Sequence, residues 1–204
     1  MNVSRKLLGA RMFELIRHGR EIDAAIASND QTLLARSSEA LESYFDKPAQ
    51  ELPRQNAFPV ALMLFFFLLS FTLSLLFFLD LFAINTPPLH VVLFFIPSIL
   101  LIIYLFFASY LLSRGHNTGL VLYYYFFIAI LALGVFQLFY SFVDAMNAIS
   151  FSFDTLTTSI IVLLSVFLSR ALMNSRPFAA FVLYCRTQRM ATQSRKLRME
   201  ARNR

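Results

Sequence analysis

The chain has 204 residues, 58% of them hydrophobic and 15% charged, with mean hydropathy +0.63, net charge +6 and one cysteine. Soluble domains carry about a quarter charged residues, so this composition does not fit a water-soluble globular enzyme. The lone Cys185 excludes an internal disulfide and argues against thiol–disulfide chemistry, which needs a pair.

Residues 1–57 are expected to form a soluble helical hairpin and a linker. Ser4 is placed to cap the first helix. Leu8, Met12, Leu15, Gly19, Ile22 and Ile26 follow at alternating steps of 4 and 3, a heptad seam that wants a partner helix. Ser28-Asn29-Asp30 reads as a turn. A second helix carries Leu34, Leu41, Tyr44 and Phe45 on one side and stops before Pro48; Pro48 and Pro53 mark the linker. So short a hairpin is marginal alone. Leu8, Met12, Leu15, Ile22 and Ile26 are therefore the expected packing positions, within the hairpin or between copies of the chain. The segment is too charged to hold an apolar signal core, so the first span is expected to act as an uncleaved insertion signal.

Four apolar stretches follow, at 58–79, 89–112, 119–143 and 151–173. A helix needs about 20 apolar residues to cross about 30 Å of hydrocarbon. The region 58–176 is thus read as a four-helix transmembrane domain. Ser70 and Ser74 in the first span form a small-xxx-small pair that admits a close neighbour. Asn85-Thr86-Pro87-Pro88 reads as a turn, and Pro97 is expected to kink the second span. Ser113 to Thr118 is a tight turn that makes the second and third spans neighbours. Tyr123-Tyr124-Tyr125 and Tyr140 read as interfacial belts. Gln137 is an amide inside a span, expected to hydrogen-bond a neighbouring helix. In the fourth span Thr155, Thr158, Val162, Ser165 and Ser169 share one face. That hydroxyl face, with Gln137, is read as bundle packing or as a pore lining in an oligomer.

The turns at 80–90 and 144–154 hold no Lys or Arg, and carry Asp80, Asp144 and Asp154. The basic residues lie in 1–57, at Arg114, and from Arg170 onward. The positive-inside rule then places both termini and the middle turn in the cytoplasm. The fold class is an all-α integral membrane protein, N-in and C-in. It has a cytoplasmic N-terminal helical hairpin and a basic C-terminal helix, in a bacterial inner membrane. Within 177–204, Phe178, Phe181 and Tyr184 form an apolar patch, and Arg186, Arg189, Arg195, Lys196, Arg198 and Arg202 are answered only by Glu200. Such a segment is drawn to anionic lipid head groups, at roughly 1 kcal/mol per basic residue near the surface, or to an acidic protein partner. No aromatic interleaving accompanies the charge, so direct nucleic-acid binding is not expected.

No span carries an acid or base at its centre, where coupled transporters keep relays. Ser113-Arg114-Gly115-His116 has residue types used by lipid phosphatases with a histidine nucleophile, but their companion motifs are missing. No metal-binding, cofactor or catalytic motif is present. The function expected is a non-enzymatic, homo-oligomeric membrane anchor or sensor that recruits a cytosolic partner protein. The alternatives are a homo-oligomeric channel or membrane-perturbing effector, and an immunity protein against a pore-forming toxin.

In its four spans flanked by residues 1–57 and 177–204, the chain resembles the small four-span membrane subunit of the two-component Kiwa anti-phage system. The resemblance is one of architecture. It implies cytoplasmic ends, assembly in the membrane and recruitment of a cytosolic partner, in anti-phage defence.

Overall fold

The computed structural model of the chain describes residues 3–28, 37–47, 56–82, 86–147 and 153–203. The expected turn at Asn29 and Asp30, together with Leu34 and the linker prolines Pro48 and Pro53, lies outside the described residues. Eight helices run in order among those described: α1 (Val3–Leu8), α2 (Ala10–Ala27), α3 (Glu39–Phe45), α4 (Phe58–Leu81), α5 (Pro87–Ser113), α6 (Asn117–Asn147), α7 (Phe153–Met173) and α8 (Arg176–Arg202). No strand occurs among the described residues. Four helices are long and apolar enough to cross a membrane: Phe58–Leu81, Pro87–Ser113, Asn117–Asp144 and Thr155–Met173. All four expected spans are therefore present, and the chain is an integral membrane protein by length and apolarity of its helices.

The boundaries correct several local expectations. Pro87 and Pro88 are the first residues of α5 and not a turn, and the His90 N–H closes onto the Thr86 carbonyl at 3.0 Å. Proline suits this position because the first helical residues have no intrahelical acceptor to lose. The helix also continues through Pro97. Asp144 lies within α6, which runs on to Asn147. Ser4 lies within α1, which is described from Val3.

The chain divides into two compact units. One comprises Phe58–Phe107 and Leu122–Met173, the greater part of the apolar helices. Its densest packing joins α4 to α7. The small residues explain why. Ser70 and Ser74 are buried in α4, and Ser159, Ser165 and Ser169 in α7. Three of these hydroxyls return to a carbonyl one turn back: Ser70 to Phe66 at 2.8 Å, Ser159 to Thr155 at 2.9 Å and Ser169 to Ser165 at 3.0 Å. A serine satisfied this way is small and inexpensive in lipid. Phe67, Tyr123 and Phe127 fill the centre, with Phe67 stacked on Tyr123 at 6.4 Å between centroids. Tyr123 thus belongs to the core and not to an interfacial belt, while Tyr125 is exposed. The outward face of α5, including Ile96, Ile99, Ile103 and Phe106, is exposed apolar surface. That is what a helix facing lipid or another apolar helix needs.

The other unit comprises Met1–Ala57, Ala108–Val121 and Asn174–Arg204. It is built around α8. Both α2 and α3 pack on that helix. The heptad seam is the buried face of α1 and α2: Leu8, Met12, Leu15 and Ile22 are buried, and Ile26 is half-buried. Its partner is the C-terminal helix, which contributes Phe178, Val182 and Cys185 at helical spacing. The seam breaks at Gly9, whose φ of 92° lies in the left-handed region that side chains avoid.

Candidate functional site

The features that give this unit a specific shape are polar, and they centre on α8 and the tight turn between α5 and α6. Arg186 is the key residue. It is 2% exposed, although the sequence reads it as a surface cation. Its Nη1 donates to the Leu15 carbonyl at 2.6 Å, and its Nη2 donates to Asn117 Oδ1 at 2.9 Å. The guanidinium reaches α2 because residue 19 is glycine. A Cβ there would overlap Arg186 Nη2 and Asn117 Oδ1. Burial pushes the Arg186 pKa down to about 10; nearby Asp23 works against the shift and Arg189 adds to it. One side chain of α8 thereby ties together the middle of α2 and the first residue of α6.

Asp23 completes the arrangement. Its Oδ2 accepts the Asn117 N–H at 3.2 Å, and its Oδ1 pairs with Arg189. A carboxylate at that position satisfies one of the free N–H groups at the start of α6 and complements the helix dipole. Arg189 also donates to the Gly115 carbonyl at 3.3 Å. Gly115 itself has φ 76°, and a Cβ there would lie 2.5 Å from the Cys185 carbonyl. No other residue fits a turn this close to α8.

Asn174 does the same service for α1 and α2. Its Nδ2 donates to the Leu8 carbonyl at 2.5 Å, and its Oδ1 accepts from the Met12 N–H at 3.3 Å. Gly9 has no side chain to cap α2, so a residue 162 positions away from Met12 supplies the cap.

The remaining tail arginines split into two groups. Arg195 pairs with Asp46. Arg198 lies 3.4 Å from both Glu39 and the buried Glu42 and donates to the Ser37 carbonyl at 2.7 Å. With the contact of Phe45 and Tyr184 at 5.4 Å, these fix α3 to α8. Lys196 and Arg202 are exposed. The segment expected to be an open basic tail is therefore a structural helix: Arg186, Arg189, Arg195 and Arg198 are engaged within the chain. The physical reason is that the acids of 1–57 answer the bases of 177–204. Cys185 is buried and its thiol pushed up to about 11 by burial, which does not suit an acylation site.

Between the 113–116 turn and α8 lies a cleft of about 480 Å³. Arg114, Arg189 and Lys196 supply its positive charge, and His116, Ser113 and Gln188 add further polar groups. Arg114 rests on the Tyr110 ring at 5.4 Å. His116 is held below the usual histidine range by burial, then by Arg189, with Arg114 adding to the effect and Asp23 opposing it. The sequence marked Arg114 as the basic residue of the middle turn and brought in His116 only through the Ser-Arg-Gly-His pattern. Their signal was being basic groups in the turn that joins two spans.

In the apolar unit, Gln137 is fully buried; its Oε1 accepts from Ser74 at 3.3 Å, while Nε2 has no hydrogen-bond partner among the described residues. Ser141 and Ser159 share a hydrogen bond of 2.8 Å. Ser165 and Ser169 are buried, and Thr155 and Thr158 are half-buried beside Asp80 and Asp144 at one end of the unit. The hydroxyl face of the fourth span thus packs within the bundle. No group of three or more metal-ligating side chains occurs among the described residues. No protein-family model, curated protein or solved structure matches the chain.

Proposed function

We propose that this protein is a non-enzymatic membrane anchor that holds a cytosolic partner protein on a folded helical platform. In this reading both termini and the 113–116 turn face the cytoplasm, because the basic residues are confined to those segments. The copies assemble as a homo-oligomer in a bacterial inner membrane, and the architectural resemblance to the Kiwa membrane subunit suits a part in anti-phage defence.

The observation that carries the reading is the Arg186 clamp. A buried guanidinium bonded to α2 and to the first residue of α6 gives the extramembrane unit one arrangement relative to the turn. A docking platform needs such a fixed shape, whereas a lipid-seeking tail needs none. The outer face of α2 presents Arg11, Glu14, Arg17, Arg20 and Glu21, all exposed. A partner of complementary mixed charge is steered and registered by such a face. The pore reading has less support, since the Ser165 and Ser169 hydroxyls point into the packed interior that a pore would require them to leave.

The test uses the full chain, tagged at its C-terminus in its own host and cross-linked before capture. Arg17→Glu with Arg20→Glu is expected to lower recovery of a soluble partner by about tenfold, a loss of about 1.4 kcal/mol, with unchanged thermal stability. Recovery unaffected by that change, or a C-terminal reporter located outside the cytoplasm, would sink the proposal.

A further inference from the structure

We propose that the cleft between the 113–116 turn and α8 is a binding site for a phosphate group, positioned to take an anionic phospholipid head group. Two separate stretches of chain converge on it. The turn brings Arg114 and His116, and α8 brings Arg189 and Lys196. No carboxylate lines it among the described residues. Asp23, which pairs with the cleft residue Arg189, has both oxygens taken, one by the Asn117 N–H and the other by Arg189. Arg189 is paired with Asp23, while Arg114, seated on the Tyr110 ring, and Lys196 bring charge to the cleft that no carboxylate lining it answers. Cations brought together in this way are stabilised by an anion with several acceptor oxygens.

The donor types favour phosphate over a single carboxylate. Arginine offers a planar fork of N–H groups and lysine a compact point charge, the usual pairing for phosphate oxygens. The hydroxyl of Ser113 and the amides of Gln188 and Gln193 add neutral hydrogen-bonding groups around the rim. A volume of about 480 Å³ leaves room for the alcohol that the phosphate esterifies. Depth decides the preferred source. The candidate span Pro87–Ser113 ends, and the next begins at Asn117, on either side of this turn. The cleft thus sits where apolar helix gives way to polar chain, which is head-group level. The same chemistry would serve a soluble phosphate ester.

The experiment uses the full chain in detergent, titrated with phosphatidylglycerol or phosphatidylcholine and read by native mass spectrometry. Arg114→Gln with Lys196→Gln leaves the Arg186 and Asp23 contacts untouched. It is expected to lower phosphatidylglycerol retention by about tenfold or more. The charge-matched control, Arg176→Gln with Arg202→Gln, is expected to change it by less than about twofold. Cys185 lines the same cleft, so its rate of maleimide labelling reports occupancy. Slowing by phosphatidylglycerol but not by millimolar inorganic phosphate identifies a lipid head-group site. Slowing by both identifies a site for the phosphate group itself, open to soluble esters. Equal loss of retention in the double variant and the control would overturn the proposal, since general surface charge would then explain binding. Equal retention of phosphatidylcholine and phosphatidylglycerol would overturn it as well.

Discussion

Gly19→Ala is expected to destabilise the native chain and to do the opposite once Arg186 has been removed. In a helix interior, alanine is ordinarily better than glycine by about 1 kcal/mol. Here the added Cβ would overlap Nη2 of Arg186 and Oδ1 of Asn117. The guanidinium must then give up at least one of its bonds, at 2.6 Å to Leu15 and 2.9 Å to Asn117. A hydrogen bond to a charged group contributes about 1.5–3 kcal/mol. The net loss is therefore about 0.5–2 kcal/mol. In an Arg186→Ala background the Asn117 amide loses the guanidinium that holds its oxygen and can rotate away from the Cβ, and the gain of about 1 kcal/mol returns. The coupling between the two sites is about 1.5–3 kcal/mol, well above the additivity error for independent positions. Cys185 provides the assay, as the sole cysteine and a buried one. Its labelling by a maleimide dye requires local opening, and each 1.4 kcal/mol changes that rate about tenfold. Gly19→Ala should speed labelling about two- to thirty-fold in the native background and slow it in the Arg186→Ala background. Equal acceleration in both would refute the assignment of Gly19 as the space that admits Arg186.

Three further outcomes follow from the same contacts. Asn174→Ala removes the cap of α2 and is expected to cost about 1–2 kcal/mol, visible as faster hydrogen exchange in residues 10–13; unchanged exchange there would contradict the capping role. Gln137→Leu is expected to change stability by less than about 1 kcal/mol in detergent unfolding, because only its Ser74 bond is lost, whereas Ser141→Val should lose about 0.6–1.7 kcal/mol. A larger loss at Gln137 than at Ser141 would show that its amide does more than join helices. Because the Cys185 thiol is raised from 9.0 to about 11, the unfolded chain releases its proton first. The stability associated with this group is thus full below pH 9 and declines as pH rises toward 11. Thermal unfolding between pH 8 and 10 should show a decline that Cys185→Ala reduces, and an identical pH slope in the variant would refute it.

Much of the fold can be read in the sequence because a bilayer imposes a one-dimensional rule. A run of apolar residues long enough to cross must be a helix, whatever its neighbours do. The same holds for the seam of Leu8, Met12, Leu15 and Ile22, since a helical apolar stripe must be buried somewhere. The helix ends were less legible. Pro87 and Pro88 serve equally as turn residues and as the first residues of a helix, so the local signal does not decide.

The candidate site was much less visible. A heptad seam requires a partner but does not name one, and α2 packs on the last helix of the chain. Charge composition has the same blindness. Arg186 and Arg202 look alike in a basic stretch, yet one is buried and bonded while the other is exposed. Their difference depends on Gly19 leaving room, Asn117 offering an oxygen and Asp23 lying nearby, none of which is local to α8.

The sequence by itself determined the class of the protein, its four apolar helices and the faces that must be buried, because hydrophobic burial is set by composition and period. Only the tertiary structure decided which charges are partners and which stand free. Pairing of charges depends on distances between residues far apart in the chain. Those distances turned an apparent basic tail into the spine of a folded unit and left Arg114 and Lys196, with His116 and Arg189, lining one cleft.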